Sequence, residues 1–237
     1  MLTNEAIVLA GGLGTRLQHV LPDIPKCMAP ITGKPFLAFV LDYLENQEIN
    51  KAILSVGYRK DHIINYFGTS YRSLEIIYSI ENEPLGTGGA IKQAMDFCTN
   101  KFAFVVNGDT YFKPDLAALS NLHKKTEADI TVAVKQMDDI SRYGLVVADK
   151  DGRIIEFREK EKLSAGGWIN GGIYLIKKTV FDTFQQQKFS IENDVFKVSC
   201  DNLRFHAFQT DAFFLDIGIP EDYWKAQKLL NAITENE

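Results

Sequence analysis

A glycine-dense turn near the start of the sequence is the first stretch whose residue types could do chemistry. Residues 11–14 contain three glycines, and Arg16 closes the turn. Glycine allows a sharp turn and a close approach to a ligand, so that successive backbone N–H groups can point at anionic oxygens. The turn therefore predicts a phosphate site. It is neither a dinucleotide fingerprint, which needs a further glycine at Leu17, nor a Walker loop, which needs Gly-Lys-Ser/Thr.

Two aspartates that are far apart in the sequence share one kind of environment. Asp109 follows an apolar run at 102–106, and Asp216 follows the apolar residues 213–215. A carboxylate beside such a run is costly unless it is exposed or paired with a cation. A magnesium ion would be a suitable cation, because it prefers oxygen ligands. Each aspartate could instead cap a turn, which is common for Asp near Gly.

The motifs of the chain resemble, in their order, those of the sugar-1-phosphate nucleotidyltransferase family. The family's opening signature G-G-x-G-T-R-L stands at residues 11–17, and its P-K pair stands at Pro25 and Lys26. The later motifs are EPLGTGG at 83–89, NGD at 107–109, EK at 159–160, NGG at 170–172 and DIG at 216–218. The sequence departs from the family where Glu161 replaces the proline that usually follows E-K. Residues 158–162 could therefore also be a solvated charge run.

The resemblance implies a role for the residues of each motif. The implied catalytic residues are Arg16, Lys26, Asp109 and Asp216, of which Asp109 and Asp216 would hold Mg²⁺. The implied nucleotide-binding residues are Ala10, Gly11, Gly12, Gly14, Thr15, Gly86 and Thr87. The implied sugar-phosphate-binding residues are Gly108, Glu159, Lys160, Asn170 and Gly171. Simpler alternatives stay open: surface cations, a helix start at 86–89 and a strand bulge at 170–172.

The substrates are implied by a resemblance within the family. Residues 83–91 and 214–223 resemble the D-glycero-α-D-manno-heptose 1-phosphate guanylyltransferases. This implies in-line transfer of a nucleotidyl group from a nucleoside triphosphate, with GTP as first choice, to that heptose 1-phosphate. The products would be GDP-heptose and pyrophosphate. Mannose-1-phosphate guanylyltransferases, N-acetylmuramate-1-phosphate uridylyltransferases and glucose-1-phosphate thymidylyltransferases share the core motifs and remain alternatives.

Two further alternatives belong to other classes of protein. A non-catalytic module that senses nucleotide sugars is disfavoured, because Arg16, Lys26 and both aspartates are present. A glycosyltransferase of similar topology would usually carry D-x-D at its metal. Asn107 stands at the first of those positions here, which disfavours that class.

Composition excludes several kinds of partner. The sequence has 26 Lys and Arg against 31 Asp and Glu, a net charge of −5, so no basic field exists to hold nucleic acid. An anionic substrate must be held by local cations or a metal ion. Cys27, Cys98 and Cys200 form no C-x-x-C pair, which is typical of reduced thiols. No apolar run is long enough to span a bilayer. We therefore expect a cytoplasmic monomer or homodimer that contacts no membrane.

The elements that must position these residues alternate between strands and helices in the first half of the chain. The sequence predicts strands at 5–9, 52–56, 74–80 and 102–106 and helices at 35–46, 61–67 and 88–97. Such alternation predicts a parallel sheet covered on both faces. Ligands bind such sheets at the carboxyl ends of the strands, where the motif loops stand.

The second half has a different pattern. It predicts short strands at 130–134, 144–148, 154–157, 173–176 and 204–209 and helices at 177–186, 191–199 and 220–232. The first four of these strands predict a small antiparallel acceptor-binding subregion. The expected fold is a Rossmann-like α/β three-layer sandwich with a mixed, mainly parallel central sheet. We expect one domain, 1–237, with a nucleotide-binding half at about 1–125 and a sugar-phosphate-binding half at about 126–237.

Overall fold

The structure is a computed structural model. It describes residues 1–12, 14, 17, 19–158, 166–200 and 202–234, without the side chains of residues 231–234. The strands are β1 (Glu5–Leu9), β2 (Pro30–Ile31), β3 (Lys34–Pro35), β4 (Lys51–Val56), β5 (Ser70–Tyr71), β6 (Leu74–Ile80), β7 (Phe102–Asn107), β8 (Thr110–Phe112), β9 (Ile130–Met137), β10 (Leu145–Ala148), β11 (Ile154–Arg158), β12 (Gly167–Lys177), β13 (Phe205–Thr210) and β14 (Phe214–Asp216). The α-helices are α1 (Phe36–Asn46), α2 (Lys60–Phe67), α3 (Gly86–Ala94), α4 (Leu116–Thr126) and α5 (Pro220–Thr234). The shorter helices are the 3₁₀ helices Lys26–Met28, Met95–Phe97 and Lys178–Phe181 and the π-helix Ile191–Phe196.

Ten strands of the described chain form one mixed sheet. Its order runs β11-β10-β12-β7-β1-β4-β6-β5, and β9 lies beside both β12 and β13. The adjacent strands β7, β1, β4 and β6 are parallel to one another, as the alternation with helices requires. β12 then pairs antiparallel with β7, and β9 and β10 pair antiparallel with β12. The predicted α/β fold is confirmed, and the antiparallel strands of the second half continue the central sheet.

Helices cover both faces of this sheet because successive strand residues point to opposite sides. In β1, Ala6 and Val8 pack in the core that includes α1, α2, α4 and α5, whereas Ile7 packs in the core that includes α3 and the π-helix. All three side chains are fully buried. Burial on both faces explains why the parallel strands are almost entirely apolar. The result is the predicted three-layer sandwich.

The helix α4 lies outside the predicted elements. Asp115 caps its first turn, because Oδ1 accepts a hydrogen bond from the N–H of Ala118 at 2.9 Å. Leu116 and Leu119, one turn apart, are fully buried. An aspartate followed by apolar residues at helical spacing is the signal that identifies such a helix.

The helix predicted at 177–186 is wrong beyond its first turn. The structure has the short 3₁₀ helix Lys178–Phe181 there. Phe184 then stacks on Phe189 with ring centroids 5.1 Å apart, and it packs against the buried core. Packing of these rings replaces a further helical turn. No helix among the described residues combines the length and the apolar character that crossing a bilayer requires.

Candidate active site

A small second sheet brings Asp109 and Asp216 together. Asp109 lies in the turn between β7 and β8, and β8 pairs antiparallel with β14, which ends at Asp216. In this register Asp216 lies opposite Thr110. The N–H of Ile217 donates a hydrogen bond to the carbonyl oxygen of Asp109 at 3.3 Å. Strand pairing thus gathers two carboxylates that are distant in the sequence.

Lys26 forms an ion pair with the first of these aspartates. Its Nζ lies 2.6 Å from Oδ2 of Asp109, and its side chain is only 10% exposed. Close packing around the pair requires glycine at two positions. A Cβ at Gly14, where φ is +60°, would lie 2.7 Å from the Cβ of Lys26, and a Cβ at Gly108 would lie 2.8 Å from the carbonyl oxygen of Leu9. Both glycines therefore let the turns that carry the site approach each other.

The Asp216 carboxyl group lies in an environment that disfavours its charge. Desolvation raises the pKa of Asp216, the positive charge of Lys26 lowers it, and the negative charge of Asp109 raises it. The net effect is a raised pKa, although the N–H of Gly218 donates a hydrogen bond to Oδ1. Two carboxylates therefore share a single lysine, and a further cation would be favourable beside them.

The donor atoms of this group fit a divalent cation that prefers oxygen ligands. Among the described residues, no three His, Cys, Asp or Glu side chains form a cluster that could hold a metal ion. Mg²⁺ does not need such a cluster, because one or two carboxylates usually hold it together with substrate phosphates and water. Asp109 and Asp216 are a donor pair of this kind.

Two cavities lined by described residues meet at Asp109. The first has a volume of about 640 Å³ and includes Ala10, Gly11, Gly12, Gly14, Gly86 and Thr87. The second has a volume of about 590 Å³ and includes Asn170, Gly171 and Asp216. Five residues line both cavities and are termed the seam here: Lys26, Asn107, Asp109, Glu192 and Gly218. A ligand in each cavity would have one end at the seam.

Glu81 lines the first cavity and lies outside the predicted site residues. Its Oε1 accepts a hydrogen bond from Oγ of Ser55, and its Oε2 accepts one from the N–H of Leu85, both at 3.1 Å. A Cβ at Gly11 would lie 2.6 Å from Oε1 of Glu81. Gly11 therefore allows a fixed carboxylate to lie against the glycine-rich turn. The signal for Glu81 in the sequence is its position directly after a predicted strand.

The glycines of residues 86–89 pack against a distant part of the chain. A Cβ at Gly88 would lie 2.3 Å from the ring of Phe189, and a Cβ at Gly89 would lie 2.1 Å from the carbonyl oxygen of Gln187. α3 begins at Gly86, so the interpretation as a helix start is correct. These glycines are needed for packing of the helix, whether or not a ligand also contacts them.

Residues 170–172 form a bulge in β12, at which the register with β9 shifts. Gly172 has a φ of +75°, and its N–H donates a hydrogen bond to Oδ1 of Asn170 at 2.9 Å. A Cβ at Gly171 would lie 2.4 Å from the ring of Phe112. The bulge is therefore real, and the Asn170 side chain that lines the second cavity is held in place by it.

Almost the whole chain matches one known protein family. The family model described as nucleotidyl transferase matches residues 5–232. This chain belongs to the nucleotidyl transferase family. The predicted family and the predicted class of enzyme are confirmed.

Two guanylyltransferases and one solved structure are similar to this chain over almost their whole length. A D-glycero-alpha-D-manno-heptose 1-phosphate guanylyltransferase from Aneurinibacillus thermoaerophilus is 47% identical over 227 residues, which cover 95% of this chain and 98% of the relative. The protein of the same name from Campylobacter jejuni is 48% identical over 221 residues, covering 93% of this chain and 97% of its own. The crystal structure of HddC from Yersinia pseudotuberculosis complexed with GMP-PN has a TM-score of 0.84 and 40% identity, and covers 95% of this chain and 99% of that one.

Four residues that the resemblance implies for this nucleotidyl transferase lie outside the described residues. They are Thr15, Arg16, Glu159 and Lys160. The first two belong to the glycine-rich turn, and the other two follow β11. Their roles stay predictions from the family motifs.

Two further residues of the nucleotidyl transferase line the second cavity outside the predicted set. Nη1 of Arg142 lies 2.7 Å from Oδ2 of Asp222, at the start of α5. Burial raises the pKa of Tyr143, and the negative charge of Asp216 raises it further. Arg142 and Tyr143 precede β10 in an irregular segment, where periodicity offers no signal.

Proposed function

We propose that this protein transfers a guanylyl group from GTP to D-glycero-α-D-manno-heptose 1-phosphate, giving GDP-heptose and pyrophosphate. The observation that carries the proposal is the meeting of two cavities at the seam, which includes Lys26 and Asp109. One cavity would bind each substrate, so that their phosphates meet beside a fixed cation. The substrates themselves are suggested by the names of the guanylyltransferase relatives.

The first cavity would bind GTP, with the glycine-rich turn facing the triphosphate. Guanine carries a ring N–H and an exocyclic amine, both hydrogen-bond donors, and a carboxylate can accept from both. The Glu81 carboxylate, held by Ser55 and Leu85, would be this acceptor. Thymine and uracil offer one ring N–H, so a carboxylate at this place favours guanine.

Asp109 and Asp216 would hold Mg²⁺, and Lys26 would lie beside the reacting phosphates. When bound, the ion offsets negative charge on the phosphate oxygens. Lys26 would donate hydrogen bonds to the same oxygens as their charge increases, because its ammonium group is already positioned at the seam by the 2.6 Å contact with Asp109. Holding both phosphates in line lowers the entropic cost of the encounter.

The transfer would be a single displacement without a covalent enzyme intermediate. Cys27 lines the first cavity, and its thiol donates a hydrogen bond to the carbonyl oxygen of Ala10. Burial, and then the negative charge of Asp109, raise the pKa of Cys27 to about 12. A buried, protonated thiol is a poor nucleophile. We expect inversion at a chiral α-phosphorus, and retention would contradict the single displacement.

A substrate matrix tests the proposal. Four nucleoside triphosphates are combined with heptose, mannose, glucose and N-acetylmuramate 1-phosphates, and pyrophosphate release is measured. We expect the highest kcat/KM for GTP with the heptose phosphate. A preference of about tenfold for UTP or dTTP with a glucose or muramate phosphate would contradict the substrates but not the reaction. A preference for mannose 1-phosphate would favour the mannose alternative, and release with no pair would favour a sensing module.

The role of Glu81 has its own test in the same assay. Glu81→Gln replaces one acceptor oxygen by a donor, so the preference for GTP over UTP should fall by about tenfold. Glu75→Gln, at an exposed position near the start of β6, the strand that Glu81 follows, is the matched control and should leave the preference unchanged. An unchanged preference in Glu81→Gln would remove this residue from the base site.

The remaining predictions complete the proposal. Arg16 would contact the outgoing pyrophosphate, and Glu159 and Lys160 would hold the hydroxyls and the phosphate of the sugar. Lys160→Met should then raise KM for the sugar phosphate more than KM for GTP. We also propose that residues 1–237 work as one domain, as a monomer or homodimer in the cytoplasm. Sedimentation of the full chain with both substrates tests the assembly.

A further inference from the structure

Glu192 is the charged residue of the seam that has no role in the proposed reaction. It lies in the π-helix Ile191–Phe196, is partly buried and lines both cavities. Its charge is negative, so it cannot serve the phosphates as Lys26 does. A carboxylate in a carbohydrate site is suited to accept hydrogen bonds from hydroxyl groups.

The Glu192 carboxylate is held firmly by one of its two oxygens. Oε2 accepts hydrogen bonds from the hydroxyl of Thr87 at 2.7 Å and from the hydroxyl of Ser190 at 2.8 Å. The Thr87 hydroxyl in turn accepts a hydrogen bond from the N–H of Ile191 at 2.9 Å. Oε1 makes no hydrogen bond with a described residue. The side chain is therefore oriented, and one acceptor oxygen remains for a ligand.

The buried Tyr174 interacts electrostatically with both Glu192 and Asn170. It is only 1% exposed, and its hydroxyl makes no well-formed hydrogen bond with a described residue. Burial raises the pKa of Tyr174, the negative charge of Glu192 raises it further, and an interaction with Asn170 lowers it. Glu192 and Asn170 both line the second cavity.

We infer that Oε1 of Glu192 accepts a hydrogen bond from the C2 hydroxyl of the acceptor sugar. This inference rests on the proposed function, which puts the sugar 1-phosphate in the second cavity with its phosphate at the seam. The C2 hydroxyl is the hydroxyl nearest to the anomeric phosphate along the ring. Glu192 shares the seam with Lys26, and its Oε1 can accept a hydrogen bond from a hydroxyl group there. The hydroxyl is axial in a manno sugar, so Glu192 would make the C2 configuration a determinant of substrate choice.

The test compares an acceptor with its 2-deoxy counterpart in the wild-type enzyme and in Glu192→Met. Wild type should lose at least ~10-fold in kcat/KM when the hydroxyl is removed, because a buried acceptor is left unpaired. Glu192→Met should lose at least ~10-fold with the parent acceptor and discriminate little between the two sugars. Asp182→Asn, at an exposed carboxylate that lines neither cavity, is the control and should behave as wild type.

A second variant covers the chance that Glu192→Met does not fold. Glu192→Gln keeps an oxygen for the Thr87 and Ser190 hydroxyls, and it should show a smaller 2-deoxy penalty than wild type because the charge is lost. An unchanged penalty in either folded variant would contradict the inference. So would a wild type that shows no penalty, or a change confined to KM for GTP, which would indicate a ribose contact.

Failure of the proposed function gives a different result. If the substrate matrix shows that another sugar 1-phosphate is preferred, the heptose assignment is wrong. The same ratio is then measured with that sugar and its 2-deoxy counterpart. A penalty that disappears in Glu192→Met would still support the role of Glu192.

Discussion

Glu5 and Asp216 are two carboxylates that lie at opposite ends of the parallel strands and have different partners. Glu5 begins β1 and is only 2% exposed. Its oxygens accept hydrogen bonds from the backbone N–H groups of Thr99 and Asn100, and Nζ of Lys51 lies 3.1 Å from Oε1. Burial raises the pKa of Glu5, but these hydrogen bonds together outweigh it and lower the pKa to about 2.

Asp216 has few partners of this kind. It accepts a backbone hydrogen bond from Gly218, and it shares Lys26 with Asp109. Desolvation and the neighbouring carboxylate leave its pKa raised. The same functional group is therefore stabilised in its charged form at one end of the sheet and destabilised at the other.

The difference separates a residue that stabilises the fold from residues that we propose take part in the chemistry. Glu5 is fully paired, so it can offer nothing to a ligand, and its loss should affect folding. Asp109 and Asp216 repel each other, and a bound cation would relieve that repulsion. Sites that bind ligands commonly retain such unfavourable arrangements, and the rest of the fold supplies the stability that compensates for them.

The largest expected effect is on the turnover rate, when the charge of Asp109 or of Asp216 is removed. Asp109→Asn and Asp216→Asn should each lower kcat on the order of 10³-fold, because each removes charge from the proposed metal site. Their melting temperatures should stay near that of wild type, since repulsion is removed together with the charge. Thermal melts and magnesium-dependent pyrophosphate release measure both properties. Asp211→Asn, whose side chain is 92% exposed, is the control, and near-normal rates in either variant would remove that aspartate from the site.

The next effect concerns Lys26, the cation between the two carboxylates. Lys26→Met should lower kcat by ~10², with a smaller change in KM, if its charge acts mainly in the transition state. Removing it also leaves Asp109 and Asp216 without their shared cation, so the variant should need more Mg²⁺ for half-maximal rate. Steady-state kinetics across a magnesium titration provide the measurement. A change in KM alone would show that Lys26 binds substrate without assisting the chemistry.

The sequence predicts the residues of the proposed site at one end of the sheet better than it predicts the partners of Glu5 at the other end. Lys26, Asp109 and Asp216 stand in short contiguous motifs. Asp109 also follows the apolar strand β7, and the ends of parallel strands are where such sheets bind ligands. The pairing of Glu5 with residues 99 and 100 has no such signal, because it depends on which strands become neighbours. The predicted strand at 5–9 locates Glu5 at the start of a strand, but it does not identify the residues that hydrogen-bond to its carboxylate.

The contacts of Glu192 show the same limit within the site. Thr87 and Glu192 are 105 positions apart, and their hydrogen bond forms because α3 packs against the π-helix through Gly88 and Phe189. The sequence shows the glycines, but it does not show that a phenylalanine ring occupies the space that they leave. Tertiary packing also decides the region after Lys178, where stacked rings replace the predicted helix.

A smaller effect, on stability, tests the contribution of the Glu5 hydrogen bonds. Glu5→Gln has the same shape, but its amide places a donor against donors from Thr99 or Asn100, so unfolding free energy should fall by about 3 kcal/mol at pH 7. Activity below the melting temperature should be unchanged. In wild type the Glu5 contribution is present above pH 4.5, its ordinary value, and is lost as pH falls toward 2. Denaturant unfolding at several pH values measures it, with the exposed Glu48→Gln as control. Equal stability of Glu5→Gln and wild type would contradict the comparison.

The smallest effect comes from His123, a buried side chain that becomes positively charged when it binds a proton, whereas Glu5 becomes neutral. Its Nδ1 lies 2.8 Å from Oγ1 of Thr131, while its buried Nε2 has no hydrogen-bond partner in the described chain. Burial lowers the pKa of His123 to about 4, so the unfolded chain takes up a proton below pH 6.5 that the folded protein does not. Stability should therefore fall as pH decreases from 6.5 to 4, by about 1 kcal/mol at pH 5.5.

His123→Gln, which cannot titrate, isolates this contribution. It should remove the loss of stability between pH 6.5 and 4.5 and leave the further loss toward pH 2, because that lower window belongs to Glu5. Glu5→Gln should do the reverse. For each variant, the unfolding free energy at each pH is expressed as the difference from its own value at pH 7. A loss of packing that is independent of pH then does not affect the comparison. If both variants flattened the same window, the two groups would not be independent, and assigning acid stability to separate ends of the molecule would be wrong.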